Sequence, residues 1–124
     1  MATVTGDSGF WRGFAHAGHG IRQAVGSERN LRVQLAAGTA ALATGAFLRL
    51  STVEWAAVLL AAGLVLTAEL VNSAVETVVD LASPDQHPLA GRAKDIAAGA
   101  CLVASVTAAA VGALVFLPHL PVPW

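Results

Sequence analysis

The 124-residue chain is 56% hydrophobic and 12% charged, with a formal net charge of −1, whereas an ordinary soluble domain carries about 25% charged residues. Its charges are segregated: none occurs from Val33 to Leu48, from Trp55 to Ala68, or from Ile96 to the C-terminus, which points to lipid as the solvent of those stretches. Near-neutrality without a basic block interleaved with aromatics excludes nucleic acid as a partner, and the single cysteine, Cys101, excludes both a disulfide framework and a cysteine-rich zinc site.

No compact apolar core follows the N-terminus within a signal peptide's reach, so the first hydrophobic segment is expected to stay in the mature protein. Ser8 is placed to cap a first helix over about residues 8–26. Phe10, Phe14, Ala17, Ile21 and Val25 recur along one side of it, and Arg12, His16, His19 and Gln23 fall opposite. With Trp11 at its flank, this is the pattern of an amphipathic helix lying in a membrane interface.

The first spanning segment is expected from about Leu31 to Leu48, near the lower limit of roughly 17–25 residues for crossing the hydrocarbon core. The second runs from about Val53 to Ala82. At about 1.5 Å per residue it exceeds the roughly 30 Å core, so its last turns leave the lipid. The turn cluster Ser83, Pro84, Asp85, Gln86, His87, Pro88 stops it. A third span follows from about Leu89 or Ala90 to Leu117, where Pro118 and Pro121 prevent continuation. Within it Ala97, Cys101, Ala104, Ala108 and Gly112 form a seam of small residues suited to close helix approach, and Cys101 is read as a packing residue of that seam. The expected fold is all-α and membrane-integral: a surface helix and three spans forming one domain over residues 1–124. So thin a bundle favours oligomerisation.

Six of the seven Lys and Arg residues (Arg12, Arg22, Arg29, Arg32, Arg92 and Lys94) precede the first span or lie between the second and third, and only Arg49 lies on the other side. The positive-inside rule then places the N-terminus and the Ser83–Pro88 turn in the cytoplasm and Trp124 outside.

The chemistry is concentrated on the second span. With Glu69 set at 0°, Asn72, Ser73, Glu76 and Asp80 project at about 300°, 40°, 340° and 20°, one polar stripe on an otherwise apolar helix. An ionisable group at the bilayer centre costs about 2.5–3.5 kcal/mol on insertion scales, so several acids on one face need partners or water. Asp80 is equally explained as a solvated helix end; Glu69 is not. At the same leaflet stand Glu28, before the first span, and Lys94 with Asp95, at the start of the third. Glu28 and Glu76 are the hard oxygen ligands that Mg²⁺ favours, and Lys94 is a cation for phosphate. The residues alone define a polar, acidic, metal-binding site at the cytoplasmic edge. No Walker A or protein-kinase motif is present.

The segment Ala68-Glu69-Leu70-Val71-Asn72-Ser73-Ala74-Val75-Glu76-Thr77-Val78-Val79-Asp80 resembles the ELxNxAxExxxD signature of the prokaryotic diacylglycerol kinase and undecaprenol kinase family. His87-Pro88-Leu89-Ala90-Gly91-Arg92-Ala93-Lys94-Asp95 is similar to that family's following loop and AKD segment, and Glu28-Arg29-Asn30 to the ERN of its undecaprenol kinase branch. Thr77 stands where an Ala is usual, and Gly9 where some relatives carry a basic residue, with Arg12 almost one turn later.

The resemblance implies an ATP-dependent lipid kinase of the bacterial cytoplasmic (inner) membrane, assembled as a homotrimer with sites between protomers. It makes Glu69 the general base on the lipid hydroxyl, with Asn72 beside it. Glu28 and Glu76 would hold Mg²⁺ with the ATP phosphates, and Lys94 and Asp95 would organise those phosphates. His16, Asp80, Asp85, Gln86 and His87 would lie near the nucleotide, while Arg22, Asn30, Arg32 and Glu69 would meet the lipid. The expected substrate is undecaprenol, giving undecaprenyl phosphate; the alternative is diacylglycerol, giving phosphatidic acid. A reading of another class, a proton-conducting or assembly subunit, also places acids in helices but requires neither Glu28 nor Lys94-Asp95 at the same leaflet.

Overall fold

A computed structural model describes residues 6–121 and 123. The side chain of Ser8 and the terminal Trp124, to which a cap and an external location were assigned above, lie outside the described residues. The chain forms four α-helices, α1 (Gly6–Ser27), α2 (Arg29–Leu48), α3 (Thr52–Ala82) and α4 (Pro88–Phe116), followed by a short 3₁₀ turn over Leu117–His119. α2, α3 and the stretch Pro88–His119 are each long and apolar enough to cross a membrane. The protein is a multi-pass membrane protein of all-α architecture with an additional N-terminal helix.

The connections explain where the helices begin and end. α2 closes in a Schellman arrangement: the Arg49 N–H reaches the Ala46 carbonyl at 3.4 Å and the Leu50 N–H the Gly45 carbonyl at 3.3 Å. Arg49 takes the left-handed conformation there (φ 55°, ψ 58°), a position that glycine usually fills. Gly45 is needed for a different reason, because a Cβ on it would lie 2.8 Å from Leu50 Cδ1 and 3.1 Å from Trp55. α3 starts with a capping box in which Ser51 Oγ accepts from the Glu54 N–H and Glu54 Oε1 accepts from the Ser51 N–H.

α4 begins earlier than its sequence suggests. Pro88, read above as part of the stop signal, occupies the first helical turn, where its missing N–H costs nothing. His87 caps that turn, its Nδ1 accepting from the Leu89 N–H at 3.1 Å. At the other end Pro118 does not halt the chain abruptly but sits inside the 3₁₀ turn.

The short connections make α2, α3 and α4 successive antiparallel neighbours, and the α3–α4 pair is the most extensively packed. Ala97, Cys101, Ala108 and Gly112 of the small-residue seam are half-buried and Ala104 is buried, so α4 turns this seam toward the bundle. One apolar cluster, Leu50, Val58 and Val115 with Trp55, Val111 and Phe116, gathers at the end of the bundle where α2 turns into α3. Elsewhere large apolar side chains face outward, including Phe47, Leu81 and Leu114 at 86%, 84% and 78% exposure. That surface suits lipid or protein neighbours and not water. α1 touches α2 and α3, while its first turns present Phe10, Trp11 and Phe14 as a mutually packed, exposed aromatic cluster with ring centroids 5.0–6.0 Å apart.

Candidate active site

Antiparallel connection brings the start of α2, the end of α3 and the start of α4 to one end of the bundle, opposite the Leu50 cluster. The α3 stripe runs into that end. Along it burial falls steadily: Glu69 is 8% exposed, Asn72, Ser73 and Glu76 are half-buried, and Asp80 is exposed. One face of one helix therefore leads from the bundle interior to its polar edge.

At the deep end, Glu69 stands against Cys101 of α4. The sequence showed Cys101 only as a member of the small seam; the spacing of that seam, which aims it at α3, was the available signal for its place beside Glu69. One turn further on, Asn72 Nδ2 donates to Glu76 Oε1 at 3.4 Å. With its nitrogen committed to Glu76, the amide leaves Oδ1 buried without a donor among the described residues. A buried acceptor in this state costs about 1–3 kcal/mol, which a hydroxyl donor arriving at the site would recover.

At the shallow end, Lys94 Nζ donates to Asp80 Oδ1 at 2.5 Å, joining α4 to α3 across fourteen residues of sequence. This pair borders a 620 Å³ cleft lined also by Ser83, Asp85, Gln86 and His87, within the roughly 300–1,000 Å³ range of small-molecule sites. Ser83 Oγ donates to the Asp85 carbonyl at 2.9 Å and shapes the loop that walls it. Asp80, Asp85, Gln86, His87 and Lys94, assigned to the nucleotide on resemblance, are thus neighbours around one opening. Asp95 is exposed beside Lys94.

The remaining candidates are placed differently. Glu28 is the single residue between α1 and α2 and makes no capping bond with its side chain. His16, Arg22 and Asn30 are exposed on α1 and the first turn of α2. Arg32 is engaged by the protein itself, its Nη1 donating to the carbonyls of Val25 and Gly26. Among the described residues no three His, Cys, Asp or Glu side chains converge as a metal cage. Mg²⁺ does not require one, since it commonly uses one or two carboxylates together with substrate phosphates, and the half-buried Glu76 and Glu28 fit that mode.

A three-span membrane protein with a carboxylate stripe descending from a polar, lysine-lined cleft into its interior has the makings of an enzyme that joins a water-soluble reactant to a lipid one. The family profile of the prokaryotic diacylglycerol kinases matches residues 15–116, and the chain belongs to that family of membrane lipid kinases. It is 43% identical over 111 residues to the undecaprenol kinase of Bacillus subtilis, covering 90% of each chain. Similarity extends to a diacylglycerol kinase of Synechocystis, 39% identical over 108 residues and covering 86% of this chain and 62% of that one. A diacylglycerol kinase of Escherichia coli is 30% identical over 115 residues, covering 90% and 94%. Membership in a family of kinases removes the non-enzymatic alternative.

Proposed function

We propose that this protein phosphorylates undecaprenol at the expense of ATP, with Mg²⁺ as the metal, from the cytoplasmic face of the bacterial inner membrane. The carrying observation is that a single face of α3 bears the buried Glu69 and, about 10 Å along the axis, the half-buried Glu76, and then ends at the Asp80–Lys94 cleft. A lipid hydroxyl reaches the first from the bilayer, and a nucleotide reaches the last from water. The 43% identity to an undecaprenol kinase over 90% of both chains, with Glu28-Arg29-Asn30 at the head of α2, favours undecaprenol. The Synechocystis and Escherichia coli relatives keep diacylglycerol as the second candidate.

Phosphoryl transfer asks mainly for positioning and charge neutralisation. Glu69 accepts the proton of the lipid hydroxyl as its oxygen bonds to the γ-phosphorus and the bond to the β,γ-bridging oxygen breaks, releasing ADP. Asn72 Oδ1, lacking a donor among the described residues, is the acceptor that orients that hydroxyl, while its Nδ2 holds Glu76 in place. Glu76 and Glu28 would hold Mg²⁺, and its charge would offset that of the phosphate oxygens. Lys94, steadied by Asp80, draws the phosphates to the cleft with Asp95, and Asp85, Gln86, His87 and His16 flank the nucleotide. Arg22 and Asn30 face the lipid headgroup region. A homotrimer would cover the apolar surface left exposed by one protomer and complete the sites between neighbours. The test is purified protein in bicelles with labelled ATP, Mg²⁺ and each lipid alcohol separately. Transfer of label to undecaprenol with little to diacylglycerol is expected, and the reverse ranking would reassign the substrate.

A further inference from the structure

Arg32 stands in the first turn of α2, yet its guanidinium reaches back across the joint to α1. Nη1 donates to the Val25 carbonyl at 2.9 Å and to the Gly26 carbonyl at 3.1 Å. Both belong to the last turn of α1, where carbonyls lack intrahelical partners and a cation meets the negative end of the helix dipole. α1 has no basic residue of its own in that turn, so the next helix supplies one.

What the contact spans is a joint of one residue. Glu28 alone is extended (φ −104°, ψ 110°). The backbone remains bonded on either side of it, the Glu28 N–H to the Ala24 carbonyl at 2.8 Å and the Arg32 N–H to the Glu28 carbonyl at 3.3 Å. The angle between α1 and α2 is therefore governed largely by two soft dihedrals, and the residue that owns them carries the side chain assigned to the metal. A guanidinium fastened to both carbonyls preceding this joint limits the values those dihedrals take.

We propose that Arg32 is a positioning residue: by clamping the end of α1 to the first turn of α2 it sets the direction in which Glu28 leaves the joint and the seat of α1 on α3, and so serves the Mg·ATP side of the reaction instead of binding the lipid. This rests on the assignment of Glu28 to metal and nucleotide made above. It stands in place of the lipid contact that the resemblance implies for Arg32: Nη1 is engaged by backbone carbonyls while Nε and Nη2 keep their N–H donors, so the lipid KM is the readout that tells the two roles apart.

The experiment compares Arg32→Ala and Arg32→Lys with the wild-type protein in bicelles. Steady-state kinetics would be measured in Mg·ATP and in lipid, with amide exchange over the last turn of α1. Arg32→Ala is expected to raise KM for Mg·ATP about tenfold, the scale of one lost charge-assisted hydrogen bond. KM for lipid should stay within about twofold, and exchange at the end of α1 should quicken. Arg32→Lys, which keeps the charge without the planar fork, should recover part of both losses. A rise in lipid KM equal to or larger than that for Mg·ATP, or unchanged exchange, overturns the proposal. If the wild-type protein phosphorylates neither lipid, the functional reading fails separately; calorimetry of Mg·ADP binding and amide exchange on the same variants then decide the clamp.

Discussion

At the scale of single residues, the two glutamates of the α3 stripe have different surroundings and should fail differently. Glu69 is buried against Cys101, whereas Glu76 is half-buried and receives the Asn72 amide. Glu69→Gln keeps the shape but cannot take a proton, so turnover should drop by about 10²–10⁴-fold, with Mg·ATP binding nearly intact by calorimetry. On the role proposed for Glu76 as a hard anionic ligand, Glu76→Gln should weaken metal-dependent nucleotide binding itself. Equal loss of binding in the two variants would break this division of labour. Lys94 and Asp80 form a second informative pair. Lys94→Ala should raise KM for ATP roughly tenfold, and Asp80→Asn should raise it less, since the lysine remains but loses its anchor. If Asp80 acts through Lys94, the double variant will be no worse than Lys94→Ala alone; additive losses would mean that Asp80 acts on the nucleotide independently.

At the scale of elements, helix ends carry information that periodicity does not. Periodicity over the second span leaves its start loose, and the Ser51–Glu54 capping box sets it at Thr52. Removing this cap with Ser51→Ala should cost about 1 kcal/mol of stability, readable as a shift in denaturant unfolding in mixed micelles with little change in turnover, because the box lies at the end of the bundle away from the stripe. An effect on KM for ATP would contradict that separation. The start of α4 is a different matter, since His87 both caps the helix and lines the cleft. Its position follows from the chain's need to accept the Leu89 N–H, and the same turn that ends α3 thereby becomes a wall of the cleft.

At the scale of the whole molecule, the two ends of the bundle are built for different work. The end holding the cleft is polar and carries the stripe. The other is closed by the Leu50, Val58 and Val115 cluster and by a long-range tie in which His119 Nε2 lies 2.6 Å from Glu54 Oε2. The same carboxylate uses Oε1 for the capping box, so Glu54 joins the start of α3 to the turn after α4. His119→Ala should lower the thermal midpoint without altering either KM; a change in KM would mean that this end communicates with the site. The distribution of basic residues, six to one, predicts the orientation in the membrane. Reporters fused after Pro88 and at the C-terminus should lie on opposite sides, the first cytoplasmic, and finding both on one side would rule out three spans.

Three long apolar helices and an amphipathic one, the polar stripe of α3 and the small seam of α4 were legible in the sequence because each is periodic within a single helix, and a 3.6-residue repeat fixes which side chains share a face. Family membership was legible because Glu69, Asn72, Glu76, Asp80, Lys94 and Asp95 keep a characteristic spacing. Pairings between helices were not legible. The contact of Cys101 with Glu69, the Asp80–Lys94 pair, the Arg32 clamp on α1 and the Glu54–His119 tie across sixty-five residues all depend on how neighbouring helices are rotated and shifted against one another. Ala and Gly seams permit several such arrangements at similar cost; packing of the assembled bundle selects one, and only the tertiary structure records which.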